Sequence, residues 1–199
     1  SIVESALNPQ ARSHMGAAGL WQFMPATGKR YGLEVNSLVD ERMDPIRATE
    51  AACRYLSDLY GIFNDWNLAI AAYNCGPGNV NKAIHRAGGK RDFWSIYPFL
   101  PKETRGYLPI FIAVVYAMNY AEMHGICPSE PLLTMASDTI VTNQRQHLKQ
   151  IAENLDIPLS ELRRLNPQYP RDIIPGNKDY AICLPIEKTG AYIDNEHAI

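Results

Sequence analysis

Gly16-Ala17-Ala18-Gly19-Leu20-Trp21-Gln22-Phe23-Met24-Pro25, reached from Glu4-Ser5-Ala6-Leu7-Asn8-Pro9, is the stretch on which the reading of this chain turns. Glu4 closes a short apolar start (Ile2, Val3). A loop of small residues follows, and then an amphipathic segment that ends in Met24-Pro25. A solitary carboxyl facing a Gly/Ala-lined cleft, with an amide opposite, suits cleavage of a glycosidic bond by a single acid/base. An isolated Glu near a chain start more commonly lies on a solvated helix face. The order of the string around this one sets it apart.

Outward from that stretch the chain reads as helices. Asp44-Pro45 supplies an N-cap and a proline at the first helical position. Ala48, Ala51, Ala52, Tyr55, Leu56, Leu59 and Tyr60 then form a helical stripe, which Gly61 is expected to end. Asn64 or Asp65 can cap the next helix, with Trp66, Ala69, Ile70 and Tyr73 on one side. Asn74-Cys75-Gly76-Pro77-Gly78 breaks it. A short helix over 79–87 stops at Gly88-Gly89. After a loop rich in aromatics and proline, a long helix runs over about 102–124. Its apolar run, 108–118, contains Pro109, is too short to cross a bilayer and reads as a core helix. Cys53, within an apolar pattern, reads as a small buried residue.

Composition shifts at Pro128-Ser129-Glu130-Pro131, so residues 1–127 form one domain and 128–137 a linker. Beyond lie a strand at 139–141, a helix over 147–155 with Leu148, Ile151, Ala152 and Leu155 in register, a second helix from Pro158 or Ser160 to Leu165, and a closing strand over 180–184. This β-α-α-β unit, 138–186, has the size of a binding module. The tail, 187–199, is mostly polar and is expected to fray.

The bulk numbers bound the partners. The 199 residues carry a net charge of −2 with a pI near 6.2, so no basic field invites nucleic acid or anionic lipid. Eleven Tyr and three Trp suit a neutral substrate met by hydrogen bonds and stacking, such as a sugar. Cys53, Cys75, Cys127 and Cys183 form no CxxC pair, and the five histidines share no ligand spacing, so no metal site is assigned. Asp40, Glu41 and Asp44 cluster, but Asp44 has a capping role and Arg42 offers charge compensation. No cofactor is called for. Because Glu4 has little chain before it to complete a helix, the numbered chain is expected to be a fragment or processed form, with any targeting or membrane-attaching segment upstream.

Glu4-Ser5, Ala11-x-Ser13, Gly16 to Gln22 with Met24-Pro25, Ala72-Tyr73-Asn74-x-Gly76 and Glu103-Thr104-Arg105-x-Tyr107 together resemble the lytic transglycosylases. The Trp21-Gln22-Phe23 variant and Asp40-Glu41-Arg42-x-Asp44-Pro45 resemble the membrane-bound type D branch. Residues 138–186 resemble a LysM module through Ile151-Ala152, Leu162-x-x-Leu165-Asn166-Pro167, Ile174-Pro175-Gly176 and Leu184-Pro185, with Gln144-Arg145-Gln146-His147-Leu148 replacing the usual entry motif. The resemblance implies a mainly α fold, a goose-lysozyme-like helical domain followed by the small LysM-like module. It also implies cleavage of the β-1,4 bond between N-acetylmuramic acid and N-acetylglucosamine, leaving 1,6-anhydromuramyl ends. Alternatives are a muramidase of the same fold or a non-catalytic peptidoglycan-binding protein.

By the same resemblance Glu4 is the catalytic acid and then base, its pKa raised by burial. Ser13 lies near the N-acetyl group, and Gln22 and Met24 line the saccharide. Tyr73 offers its hydroxyl near Glu4, Asn74 holds the Tyr73 loop through backbone bonds, and Glu103 and Tyr107 form the far wall. Peptidoglycan strands are then the partner, the chain acts as a monomer, and its place is periplasmic or outer-membrane-associated.

Overall fold

The computed structural model describes residues 1–127 and 136–195. In chain order the elements are α1 (Ile2–Ser5), α2 (Pro25–Arg30), α3 (Pro45–Phe63), α4 (Trp66–Cys75), α5 (Pro77–Arg86), α6 (Phe93–Ile96), α7 (Lys102–Asn119), β1 (Ser137–Thr142), β2 (Gln146–His147), α8 (Leu148–Leu155), α9 (Leu159–Leu165), β3 (Ile173–Ile174), β4 (Tyr180–Pro185) and α10 (Thr189–Asn195). The expected linker falls largely outside the described residues. By packing, the chain forms two compact units that do not follow chain order: Ser1–Leu7 with Thr49–Pro128, and Asn8–Ala48 with Ser129–Ile199.

The first unit is helical. Leu59 and Phe63 of α3, Leu68, Ala69 and Ala72 of α4, Val80 and Ala83 of α5, and Leu108 of α7 meet in one core with Phe93, Ile96 and Leu100. Alanines on the buried face of α4 let neighbouring helices approach closely. Asp65 caps α4 by accepting the Leu68 N–H at 2.9 Å, as the sequence suggests. Gly76, at φ 82°, ends α4, and Pro77 opens α5 at a position where its missing N–H is of no consequence.

Three expectations in this unit are corrected. Gly61 does not end α3. The helix continues to Phe63 and stops where Asn64 takes the left-handed conformation (φ 51°), its N–H bonding to Tyr60 O at 2.7 Å. Cys53 is exposed, because the buried face of α3 runs through Ala48, Ala51, Ala52 and Leu59 and turns position 53 outward. The run 108–118 is not a core helix. Leu108 is buried, but Ile110, Phe111, Ile112, Val115, Tyr116 and Met118 are exposed, since α1 and α4 cover only one side of α7. The helix also ends at Asn119, and residues 122–124 form a separate 3₁₀ turn closed by Gly125 at φ 67°.

In the second unit β1 and β4 pair antiparallel, Ile140 opposite Ile182, and α8 and α9 pack with β4 around Leu148, Ile151, Leu162, Ile174, Ile182 and Leu184. A second, two-residue antiparallel pair, β2 with β3, goes beyond the expected β-α-α-β unit. His147 is not in the helix but caps it, its Nδ1 placed to accept the Lys149 N–H at 3.1 Å. The tail does not fray through residue 195. It forms α10, whose Tyr192 is fully buried in the module core and donates its hydroxyl to Gln146 Oε1 at 2.6 Å. One aromatic anchor in a polar helix defeats an expectation drawn from mean polarity.

Val39 and Leu38 pack into this same core from the N-terminal part of the unit. The Asp40 N–H bonds Gln168 O at 2.8 Å, and Tyr180 Oη and Lys178 Nζ reach Glu34 at 3.3 and 2.7 Å. Residues 8–48 therefore group with the C-terminal module through a shared core.

Candidate active site

Glu4 sits on a single turn of helix held by Ser5 N–H to Ser1 O at 2.9 Å and Ala6 N–H to Ile2 O at 2.9 Å. That turn ends sharply, because Ala6 and Leu7 both take positive φ (50° and 64°), a conformation unfavourable for residues with a Cβ. The half-buried Glu4 carboxyl accepts a hydrogen bond from the Tyr107 hydroxyl of α7 at 2.5 Å. Burial pushes the Glu4 pKa above the ordinary carboxylate range. The Tyr107 bond opposes part of that rise, and the negative charge of exposed Glu103 adds to it.

Tyr73 of α4 is the second phenol. Burial first, and then the Glu4 charge, raise its pKa and keep it a neutral donor. Its ring lies 5.2 Å from that of Tyr55, tilted by 41°. Tyr107 is held neutral by the same causes in the same order. One carboxyl is thus gathered with two phenols that stay protonated at any physiological pH.

Asn74 and Thr104 fix this arrangement. Thr104, 1% exposed, donates its hydroxyl to Asn74 Oδ1 at 2.7 Å, tying the last turn of α4 to the first turn of α7. Asn74 is thereby held through its side chain at the junction of the two helices. Tyr107, one helical turn further along α7, is the hydrogen-bond partner of Glu4. Thr104 went unassigned in the sequence. Its signal was its position within Glu103-Thr104-Arg105-x-Tyr107, one helical turn before Tyr107. Arg105 anchors the entry to α7 by donating to Leu100 O and Pro98 O at 3.0 and 2.9 Å.

The other expected residues belong to the second unit. Ser13 is exposed, and its Oγ accepts the Ala17 N–H at 3.0 Å, closing a turn. Gln22 takes positive φ (49°) and turns its amide onto its own loop, donating to Gly19 O at 2.8 Å and Ala11 O at 3.2 Å. Met24 is the exposed N-cap of α2, with no side-chain cap bond. An open apolar groove of about 720 Å³ on the first unit, lined by Ile2, Val114, Met118 and Met123 among others, includes none of the expected residues. Among the described residues no group of three or more His, Cys, Asp or Glu side chains is placed to hold a metal ion.

Comparison with known proteins decides the family. The transglycosylase SLT domain matches residues 1–95, and the LysM-like domain of lytic transglycosylase MltD matches residues 136–199. The chain belongs to the lytic transglycosylase family. It is 36% identical over 169 residues to membrane-bound lytic murein transglycosylase D of Escherichia coli (strain K12), covering 83% of this chain and 37% of that protein. The soluble lytic murein transglycosylase of Escherichia coli (strain K12) is 34% identical over 116 residues, which is 55% of this chain and 18% of the relative. A solved complex of the 70-kDa soluble lytic transglycosylase with bulgecin A is 32% identical and superposes with a TM-score of 0.51, covering 62% of this chain and 21% of that one. This chain thus spans about a third, or less, of the length of these relatives. The SLT match ends before α7, so Thr104 and Tyr107 lie past it. Among the described residues no helix of this lytic transglycosylase homologue is long and apolar enough to cross a membrane.

Proposed function

We propose that this chain cleaves the β-1,4 bond between N-acetylmuramic acid and N-acetylglucosamine in peptidoglycan, with Glu4 as both acid and base. The observation that carries the reading is the carboxyl of Glu4, pushed up by burial and bonded by Tyr107. A carboxyl whose pKa is raised keeps its proton to higher pH than an ordinary carboxylate and can deliver it to the glycosidic oxygen as the bond to C1 breaks. The leaving N-acetylglucosamine departs with that proton. The substrate's own N-acetyl oxygen stabilises the cationic C1. Glu4, now a carboxylate, takes the proton of the muramyl C6 hydroxyl, and O6 closes on C1 to give a 1,6-anhydro ring. One carboxyl replaces the usual pair because the sugar supplies the nucleophile and no water is consumed.

Tyr73 and Tyr107, which remain neutral, donate hydrogen bonds to whichever carboxylate or sugar oxygen bears charge. Ser13, Gln22 and Met24 contact the saccharide, and Glu103 and Tyr107 form the far wall. Peptidoglycan strands are the partner, and the place of action is the cell envelope outside the inner membrane.

Purified sacculi incubated with the parent chain and with Glu4→Gln, followed by mass spectrometry of released muropeptides, test this. Anhydromuramyl ends from the parent and none from the variant are expected. Reducing ends instead make the chain a hydrolase of the same fold. No release from the parent makes it a glycan-binding protein, and equal release by the variant removes Glu4 from the mechanism.

A further inference from the structure

We propose that the C-terminal LysM-like module is a brace for the loop bearing Ser13 and Gln22, and that Arg42 is the positioning residue through which it acts. The inference deepens the reading above, since it assumes that this loop meets the glycan. Everything it uses lies within the second compact unit.

The connection runs in two steps. Residues 34–42 fold back on themselves, with the Glu41 N–H bonding Glu34 O and the Glu34 N–H bonding Glu41 Oε2, which presents Val39 outward from the bend. Val39 is 1% exposed because it enters the module core beside Leu148, Ile151 and Ile182. The Asp40 N–H bonds Gln168 O, fixing the bend to the segment between α9 and β3. The second step leads from the bend to the loop. Arg42 is 5% exposed and uses all three of its nitrogens. Nε and Nη2 bind the two Asp40 carboxylate oxygens at 2.8 Å each, and Nη1 donates to Gly16 O at 2.7 Å and Phe23 O at 2.9 Å. Those two carbonyls bracket the loop that carries Gln22.

Backbone packing makes the same connection. Gly19 (φ 83°) lies so close to the chain at Arg42 that a Cβ there would sit 1.7 Å from Arg42 O. The loop is therefore shaped directly against the Arg42 backbone, and Arg42 is held by a bend whose tip is buried in the module. A planar five-donor fork satisfies this geometry, whereas an ammonium does not. Asp40 and Arg42 thus transmit the module's position to the loop, and the module serves the cleavage domain from the same chain besides any hold it has on the wall.

Hydrogen exchange on the whole chain without substrate tests the brace, using Leu155→Ala inside the module and Arg42→Lys at the bend. Leu155→Ala is expected to speed exchange at the amides of Ala18, Gly19 and Phe23 by about tenfold or more, together with that of β4. Acceleration confined to the module would overturn the proposal, because the two parts would then open independently. Arg42→Lys, which keeps the charge, is expected to loosen the loop amides and spare β4. On a soluble glycan it should raise KM by about threefold or more with kcat within about twofold. Loop exchange as slow as in the parent, or a fall in kcat alone, would also overturn the proposal. A parent chain without lytic activity counts only against the functional reading, since exchange is measured without substrate.

Discussion

Replacing Tyr107 with Phe keeps the ring against α1 and α4 and removes one hydroxyl, the donor to Glu4 Oε1. A hydrogen bond to a charged group contributes about 1.5–3 kcal/mol. One pH unit of pKa corresponds to about 1.4 kcal/mol. Because Glu4 is only half-buried, solvent compensates part of the loss, so the low end applies: a rise of about one pH unit. The sign follows from which form the hydroxyl favours. It stabilises the ionised carboxylate, so its loss moves Glu4 further up, in the direction in which burial already moves it. The first chemical step needs Glu4 protonated, so the alkaline limb of kcat/KM should shift to higher pH by about one unit. The plateau should fall as well, because the carboxyl loses the bond that orients it. The assay is muropeptide release across pH, parent against variant. An alkaline limb that stays put or moves down would refute the claim that this limb reports Glu4 held by Tyr107.

Four further outcomes follow from the same structure. Glu4→Gln should raise the melting temperature near neutral pH and leave it unchanged below the unfolded carboxyl pKa, since a raised folded pKa destabilises the fold only where the group ionises; thermal scans at several pH values check it. Thr104→Val should cost about 1–3 kcal/mol by stranding Asn74 Oδ1, and should lower activity more than a surface change of equal stability cost, measured by denaturant titration beside the lytic assay. Tyr192→Ala should cost about 3–5 kcal/mol of the second unit's stability, read from protection of β4 amides, whereas a fraying tail would show no effect. Asp172→Asn should cost less than about 1 kcal/mol at neutral pH, because the Arg163 partner is more than half exposed. That cost should vanish in acid, where the depressed Asp172 pKa is crossed from above and its contribution is lost in both proteins.

The helical part of the fold was legible where periodicity and punctuation agree. Ala48, Ala51, Ala52 and Leu59 bury as their spacing requires, Asp65 caps α4, and Gly76-Pro77 separates α4 from α5. Legibility failed where the deciding fact is which surface a neighbour covers. The run from 108 to 118 is apolar on every side, so the sequence could not say that only Leu108 would be fully buried. Tyr192 is the converse case, a single aromatic in polar surroundings whose burial is decided by a core far away in sequence. Within the candidate site, Glu4 and Tyr73 stood out through their motifs. The partnership of Glu4 with Tyr107 was invisible, because 103 positions separate them and no local pattern encodes a contact across that distance.

Residues 34–42 show most sharply why packing order can depart from chain order. Nothing in the segment has the period of a helix or a strand, and its charges invite the reading of a solvated acidic loop. Asp40 and Arg42, two positions apart, neutralise one another, and a buried ion pair taken by itself adds little net stability, because desolvation offsets the attraction. The worth of this pair is geometric. Once Asp40 has satisfied two edges of the guanidinium, the remaining nitrogen can only point at carbonyls, and the fold offers it Gly16 and Phe23. A lysine at position 42 has a single nitrogen with three donors and could not hold both Asp40 oxygens and both loop carbonyls at once. The buried charge is therefore better explained by the shape it imposes on residues 16–23 than by the energy it contributes.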